Sequence, residues 1–200
     1  MEKINTENIL YSQYYTINNQ PWSEYHTDCE AKVLVLYDEG FLHLKFFVKE
    51  KQIRARYRET NGTVHKDNCV EFFVRFDNDT NYYNLEFNVL GNTKVAYGNG
   101  RHGREELPLK LIEQIEREVS MLPKSVNGQL YIEWVLDIKI PDFIFINNKQ
   151  KELSQYEIFA NFYKCGDDLD NPHYLCWNTI NTENPDFHRP EFFKKLTFNK

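Results

Sequence analysis

The sequence predicts an all-β protein: an antiparallel β-sandwich of the jelly-roll type with one short helix and a long C-terminal loop region. Three observations predict it. Apolar and polar residues alternate with a period of two in most segments that lie between turn residues. Aromatic residues, which favour strands, make up 16% of the chain. Alanine occurs only four times in 200 residues, which disfavours a helical bundle.

About eight segments have the length and pattern of strands. The first two flank Asp38-Glu39-Gly40, a tight-turn sequence, and so predict a hairpin. In chain order the predicted strands are 33–37, 42–48, 70–76, 83–89, 93–97, 130–140, 157–163 and 196–198. Strands of this number with turn residues between them are typical of two packed antiparallel sheets.

One helix is predicted between the fifth and sixth strands. Leu109, Ile112, Ile115 and Val119 recur near helical spacing, with charged residues between them. We expect this helix to cover one end of the sandwich. Because no internal repeat or linker interrupts the pattern, residues 1–200 are interpreted as a single domain.

Charge and hydropathy exclude some classes of partner. The formal net charge of -6 gives no general electrostatic reason to bind nucleic acid or an anionic membrane. No apolar run approaches the roughly 18–20 residues of a membrane span. The first residues lack a basic stretch followed by an apolar one, so we expect no signal peptide and a cytoplasmic location. A trimmed sequence would be compatible with a periplasmic or secreted protein. We predict no particular oligomeric state.

The four cysteines are Cys29, Cys69, Cys165 and Cys176. None forms a Cys-x-x-Cys pair, which excludes zinc-ribbon and thioredoxin-type sites. Cys69 lies in an apolar strand pattern and is predicted to be a core residue. Cys165 and Cys176 could meet across a loop as a disulfide, but free thiols are favoured in the absence of a secretory signal.

The strand over 83–89 has an unusual polar face. Its outward positions are Tyr82, Asn84, Glu86 and Asn88, spaced about 7 Å apart. Asparagine is disfavoured in strands, so two at alternate positions need a reason. One is an ordinary solvated face, and the other is a ligand with many hydroxyls, which amides and carboxylates match as donors and acceptors. Polar candidates on neighbouring strands are Glu71, Arg75, Asn161 and Tyr163.

The C-terminal segment 161–193 is long and rich in turn residues. Such a segment is uncommon as filler, and it carries Trp177. A tryptophan on a loop can present its flat face to a pyranose ring. The alternative is that Trp177 packs beneath its own loop.

Residues 77–81 resemble the start of a calcium-binding loop. Asp77 and Asp79 place oxygen ligands at alternate positions, but Tyr82 and Asn88 at the sixth and twelfth positions exclude an EF-hand. A structural calcium ion at Asp77 and Asp79 is a weak prediction beside a solvated hairpin turn. No other cofactor or metal is predicted.

Glu71 and Glu86 form a possible catalytic pair. Adjacent strands could place two carboxylates at the separation that a glycoside hydrolase needs. An open sheet face makes it difficult to raise the pKa of the acid by burial, so catalysis is not favoured. A second alternative is a module that binds a protein partner through its aromatic surface. The loop 98–104 offers Arg101 and Arg104 as readers of hydroxyls or carboxylates.

Several segments, in order along the chain, resemble the carbohydrate-binding module family 9. They are 64–73, 82–88, the region of Arg101, 161–167, 172–177 and 185–193. The resemblance runs from about Pro21 to the C-terminus. It implies a β-sandwich that binds a mono- or oligosaccharide without catalysis, as do modules attached to xylanases and other hydrolases that degrade plant polysaccharides. We therefore expect a role in carbohydrate catabolism.

The resemblance also implies roles for particular residues. Members of this family hold a sugar between two aromatic rings, of which Trp177 matches one. The other position falls at His65, where Tyr57, Tyr82 or Tyr163 could substitute, and Glu71 matches a residue that reads hydroxyls. The predicted ligand-binding residues are therefore His65, Glu71, Asn84, Glu86, Asn88, Arg101, Asn161, Tyr163 and Trp177.

Overall fold

The computed structural model describes residues 13–148 and 152–197 as two antiparallel sheets packed face to face. Strands are numbered β1 to β12 in chain order. The first sheet has the spatial order β1-β2-β3-β9-β8. Its strands are β1 (Gln13–Ile17), β2 (Glu30–Asp38), β3 (Phe41–Glu50), β8 (Glu116–Val126) and β9 (Gln129–Pro141).

The second sheet has the order β11-β10-β4-β5-β6-β7, and β12 also pairs with β10. Its strands are β4 (Cys69–Phe76), β5 (Tyr82–Asn88), β6 (Thr93–Gly98), β7 (Glu105–Glu106), β10 (Ile158–Cys165), β11 (Tyr174–Cys176) and β12 (Lys194–Leu196). The predicted antiparallel sandwich is confirmed. The last predicted strand, 196–198, overlaps β12 only at Leu196, Thr197 lies beyond the strand, and Phe198 lies outside the described residues.

The helix prediction over 109–119 is wrong in its second half. Helix α1 (Leu109–Ile112) has a single turn, and residues 116–126 form β8. This segment pairs with β9 along its whole length, which satisfies the backbone groups on the side that faces β9. Pro123 fits there because an edge strand leaves one side of its backbone unpaired. No helix in the described residues is long and apolar enough to span a membrane.

The main core lies between the two sheets. Alternate residues of β3 and β9, such as Phe46 and Trp134, face alternate residues of the second sheet, such as Phe72, Phe87 and Phe162. All five side chains are fully buried. The period-two pattern of the sequence is therefore the pattern of this core.

A second apolar cluster covers the opposite face of the second sheet. Trp22 and the C-terminal residues Ile180, Phe187 and Phe193 pack there with strand residues such as Phe73. As a result every residue of β5 is buried. The expectation of an open, solvated polar face is wrong, because the C-terminal segment folds back over it.

Candidate functional site

A cavity of about 370 Å³ is lined by residues of the second sheet, the loop 101–104 and the C-terminal segment. It interrupts the apolar cover where the strands carry polar side chains. Five of the nine predicted ligand-binding residues line it: His65, Glu71, Asn84, Glu86 and Arg101.

Two buried carboxyl groups lie side by side in the cavity wall. Glu71 on β4 is directly opposite Glu86 on β5, and the two side chains are 3% and 5% exposed. Burial and the neighbouring charge of Glu86 hold the pKa of Glu71 well above its usual range. Burial opposes the charge on Glu86, but His65, Lys94 and Asn84 outweigh it and lower its pKa. The surroundings therefore favour the neutral form of Glu71 and the charged form of Glu86.

This arrangement corrects the expectation about catalysis. An open sheet face was expected to leave the acid's pKa unperturbed, whereas burial raises the pKa of Glu71. The register places Glu71 and Glu86 as direct neighbours on one face of the sheet, as expected for residues on adjacent strands.

The two oxygens of the Glu86 carboxylate are held unequally. Asn84 Nδ2 donates a 2.7 Å hydrogen bond to Oε1 of Glu86, and His65 Nδ1 lies 3.5 Å from Oε2. That histidine contact is electrostatic, and Oε2 is buried with no hydrogen-bond partner. A buried carboxylate oxygen without a donor is unfavourable, so it has capacity for a donor brought by a ligand.

Arg104, which also lines the cavity, holds the side chain of Asn84 in place. Its Nε donates a 2.8 Å hydrogen bond to Oδ1 of Asn84, and its guanidinium lies 4.2 Å from the ring centre of Tyr82. Its remaining donors bind the backbone carbonyls of Tyr82, Ala96, Gly98 and Gly100. Arg104, considered from sequence as a reader of ligands, is thus a positioning residue, whereas Arg101 is exposed on the cavity wall.

The aromatic part of the wall comes from residues that sequence reasoning missed. Tyr174 and Phe187 both line the cavity. Phe187 stacks on Tyr163, with ring centres 4.1 Å apart and planes inclined by 11°, while Tyr174 meets it edge-on. Tyr174 keeps part of its ring exposed. The turn-rich tail drew attention to this segment, but nothing in the pattern distinguished Tyr174 from the other aromatics.

Asn88, a predicted ligand reader, is fully committed to the fold. Its Nδ2 donates to Oδ2 of Asp67 and to the carbonyl of Tyr57, and its Oδ1 accepts the N–H groups of Leu90 and Asn92. It ends β5 and does not line the cavity.

Asn161 and Tyr163 attach the C-terminal segment to β10. Asn161 exchanges hydrogen bonds of 2.8 and 2.9 Å with the backbone of Asn178. The hydroxyl of Tyr163 donates to the carbonyl of Phe187. Both side chains are buried beneath this segment and neither lines the cavity.

Trp177 lies on the other side of the second sheet. Its ring meets Tyr15 edge-on at 4.8 Å and Phe162 at 5.6 Å, which places it against the main core. Side chains alternate along a strand, and Cys176 faces the outer cluster, so Trp177 points to the opposite face. This position agrees with the alternative expectation, in which Trp177 packs beneath its own loop.

The acidic side chains of the hairpin loop accept hydrogen bonds from other groups of the protein. Asp77 Oδ1 accepts the N–H of Glu157, and Asp79 accepts hydrogen bonds from the N–H of Asn81 and the hydroxyl of Tyr97. The bond with Asn81 is local to the turn, and the other two attach the loop to Glu157 and to Tyr97 on β6. A calcium ion at Asp77 and Asp79 stays a prediction.

All four cysteines are buried free thiols, as favoured from the sequence. The strand register places Cys165 opposite Cys69 on one side and opposite Tyr174 on the other. Cys176 is opposite Tyr163, two positions further along β10, so Cys165 and Cys176 are not cross-strand neighbours.

The model of the carbohydrate-binding family 9 matches residues 2–198. The chain belongs to this family. Its fold is similar to that of a crystal structure described as a "putative carbohydrate-binding protein from Bacteroides uniformis ATCC 8492", with 30% identity and a TM-score of 0.85 over 94% of this chain and 86% of that one.

Two further family 9 structures share the fold at lower identity. Both are modules from Caldicellulosiruptor kristjanssonii. The complex with glucose has 12% identity and a TM-score of 0.58 over 98% of this chain and 87% of that one. The complex with cellotriose has 11% identity and a TM-score of 0.54 over 99% and 88%. No curated protein matches the chain.

Proposed function

We propose that this family 9 chain binds a mono- or oligosaccharide in the cavity beside Glu86 and leaves it chemically unchanged. The observation that carries the proposal is the buried Oε2 of Glu86, which has no hydrogen-bond partner in a cavity lined by further polar groups. A sugar hydroxyl is a neutral donor that can satisfy this oxygen. The glucose and cellotriose complexes of its relatives support this class of ligand.

Several groups around the cavity contribute different contacts to the bound saccharide. Glu86 accepts a hydrogen bond from a hydroxyl group, and Glu71, whose neutral form burial favours, can both donate and accept one. Arg101 supplies further donors from the rim. The partly exposed ring of Tyr174 offers an apolar face to the C–H groups of a pyranose.

The size of the cavity limits the ligand and its affinity. A volume of 370 Å³ lies near the lower end of small-molecule sites, which span about 300–1,000 Å³, and suits a single sugar or the end of a short chain. Each net hydrogen bond contributes about 0.5–1.5 kcal/mol. Because a small site makes few such bonds, we expect a dissociation constant in the micromolar to millimolar range, equivalent to about 4–8 kcal/mol once apolar contacts are included.

The finer assignment is a fragment of a plant-type polysaccharide. The resemblance to modules attached to xylanases supports it, as does the β-glucan trisaccharide bound by one relative. Glucose, cellotriose and xylotriose therefore form the first panel of ligands. Hydrolysis by Glu71 and Glu86 is not favoured, because the family match and the saccharide complexes of its relatives support binding.

Isothermal titration calorimetry with this panel tests the proposal. We expect one saccharide to bind, and Glu86→Gln to weaken its affinity at least 10-fold because an amide replaces the accepting carboxylate. Glu157→Gln is the matched control, since Glu157 is an exposed glutamate paired with Lys195 away from the cavity.

Two outcomes would count against saccharide binding in this cavity. The first is no heat with any member of a broad glycan panel together with a co-purifying protein, which would favour a protein-interaction module. The second is equal affinity for the wild type and Glu86→Gln. Chromatography of the incubated oligosaccharides checks the non-catalytic part, because release of shorter sugars would show hydrolysis.

A further inference from the structure

Two thiols and a carboxyl group converge beside the cavity. Cys69 on β4 is directly opposite Cys165 on β10, and Glu71 lies two residues beyond Cys69 on the same face of the sheet. Cys165 Sγ donates a hydrogen bond to Oε1 of Glu71 at 3.1 Å. One ligand atom of each of the three residues lies within 4.8 Å of the others, and all three side chains are buried.

The donor set has a clear metal preference. Zn²⁺ is coordinated tetrahedrally, with Zn–S distances of about 2.3 Å to thiolates and Zn–O distances of about 2.0–2.2 Å to carboxylates. Thiolates also select soft or borderline cations over calcium and magnesium, which require oxygen ligands. A cluster within 4.8 Å can therefore close on one such cation with small side-chain rotations.

The position of the cluster leaves room for a fourth ligand. Glu71 and Cys165 both line the cavity, whereas Cys69 lies behind them. A cation held by three protein ligands would face the cavity with its remaining position, the arrangement of an open zinc site.

A second cluster of possible metal ligands differs from the first, because a lysine already lies among them. Cys29, Glu50 and His173 are also close enough to hold a metal ion. There the ammonium of Lys164 already fills the centre, with Nζ 3.1 Å from Oε2 of Glu50 and 2.9 Å from Nε2 of His173. At the first cluster, the only side-chain hydrogen bond described for Glu71 comes from the thiol of Cys165.

We propose that Cys69, Cys165 and Glu71 bind a thiophilic divalent cation such as Zn²⁺ in the wall of the cavity. The site is independent of saccharide recognition except for Glu71, which would serve as a metal ligand when the cation is bound. The two cysteines have no role in the proposed reading of hydroxyls.

Cobalt titration tests this site directly. The full chain is freed of metal with a chelator, kept reduced with a phosphine so that no Cys69–Cys165 disulfide forms, and titrated with Co²⁺. We expect one equivalent to produce the near-ultraviolet sulfur-to-cobalt charge-transfer band, and Zn²⁺ to displace it. Cys69→Ser and Cys165→Ser should each remove the band.

The other two buried cysteines provide matched controls. Cys29→Ser and Cys176→Ser should retain the band, because neither thiol belongs to the cluster. No band with the wild type, or a band that survives both Cys69→Ser and Cys165→Ser, would overturn the proposal.

A measurement on the wild type covers the case in which the serine variants do not fold. Zinc-edge X-ray absorption of the zinc-loaded chain should show two sulfur neighbours at about 2.3 Å. A zinc coordination shell of nitrogen and oxygen alone would overturn the proposal. Neither measurement uses a saccharide, so failure of the metal site and failure of saccharide binding are distinguishable.

Discussion

At the scale of single residues, Lys164 is a fully buried cation whose charge must be paired within the fold. Its fully buried ammonium binds Glu50, His173 and the carbonyl of Cys165, and Trp134 donates a 2.6 Å hydrogen bond to the same glutamate. Burial opposes the charge, but Glu50 outweighs it and raises the pKa of Lys164. A buried ion pair of this kind is stable only while each charge keeps its partners.

Lys164→Met should therefore destabilise the protein by about 3–5 kcal/mol, because it leaves the Glu50 carboxylate buried without its cation. Urea denaturation measures the change. Lys195→Met, which removes an exposed ion pair with Glu157, should cost about 1 kcal/mol or less. Equal small losses for both variants would show that the buried pair does not stabilise the fold.

His173 makes the stability of the folded protein depend on pH. Its Nε2 accepts a hydrogen bond from Lys164, so the ring must be neutral, with Nδ1–H donating to the carbonyl of Asn171. Burial and the charge of Lys164 lower the pKa of His173 to about 3. The unfolded chain, in which a histidine has a pKa of about 6.5, binds more protons below that pH.

Stability should accordingly fall between about pH 6.5 and pH 3, with His173 contributing up to about 1.4 kcal/mol per pH unit. The slope of the unfolding free energy against pH measures how many more protons the unfolded chain binds, and His173→Gln should reduce that number by nearly one. His26→Gln, at an exposed histidine, should leave it unchanged. An unaltered slope in His173→Gln would refute the buried neutral ring.

At the scale of elements, the turn between β5 and β6 depends on Asn88. Its side chain binds two N–H groups of the turn, while Gly91 adopts a positive φ of 79°. That backbone conformation favours glycine. The asparagine that sequence reasoning assigned to ligand reading is thus required for the shape of the turn.

Asn88→Ala should lower the unfolding free energy by about 2–4 kcal/mol, since it leaves several buried hydrogen-bonding groups without partners. Chemical denaturation checks this value. Asn92→Ala, at a half-exposed neighbour whose backbone alone serves the turn, is the control and should cost less than about 1 kcal/mol. If the folded Asn88→Ala variant lost saccharide binding at unchanged stability, Asn88 would be a ligand reader after all.

Strand positions were predictable where one face of a strand enters the core. The hairpin of β2 and β3 follows directly from alternation around Asp38-Glu39-Gly40. β8 was not predictable, because Ile112, Ile115 and Val119 also fit a helical period. Pairing with the free edge of β9, a long-range contact that no local pattern records, decides its structure.

At the scale of the whole molecule, the C-terminal segment converts a polar sheet face into a buried site. It packs Phe187 on Tyr163 and brings His188 to the hydroxyl of Tyr82, which leaves a cavity beside Glu86. Alternation identifies an outer face but cannot show what covers it. The sequence therefore located Glu71, Asn84 and Glu86 correctly beside one another, yet predicted an open face.

The same limit applies to the aromatic residues. Trp177 is an aromatic residue in a turn-rich segment, as expected of a residue that stacks on a sugar. The direction of its side chain, however, depends on the pairing of β11 with β10. That pairing turns Trp177 toward Tyr15 and leaves Tyr174 at the cavity. We therefore expect a saccharide to bind beside Glu86 and not on Trp177.

Calorimetric titration of Glu86→Gln and Trp177→Phe with the best saccharide of the panel tests this claim most directly. Phenylalanine retains much of the contact of Trp177 with the core, so both variants should fold, which circular dichroism verifies. We expect Glu86→Gln to weaken binding at least 10-fold, or about 1.4 kcal/mol, and Trp177→Phe to change it less than twofold. Loss of affinity in Trp177→Phe, with full affinity in Glu86→Gln, would contradict the account.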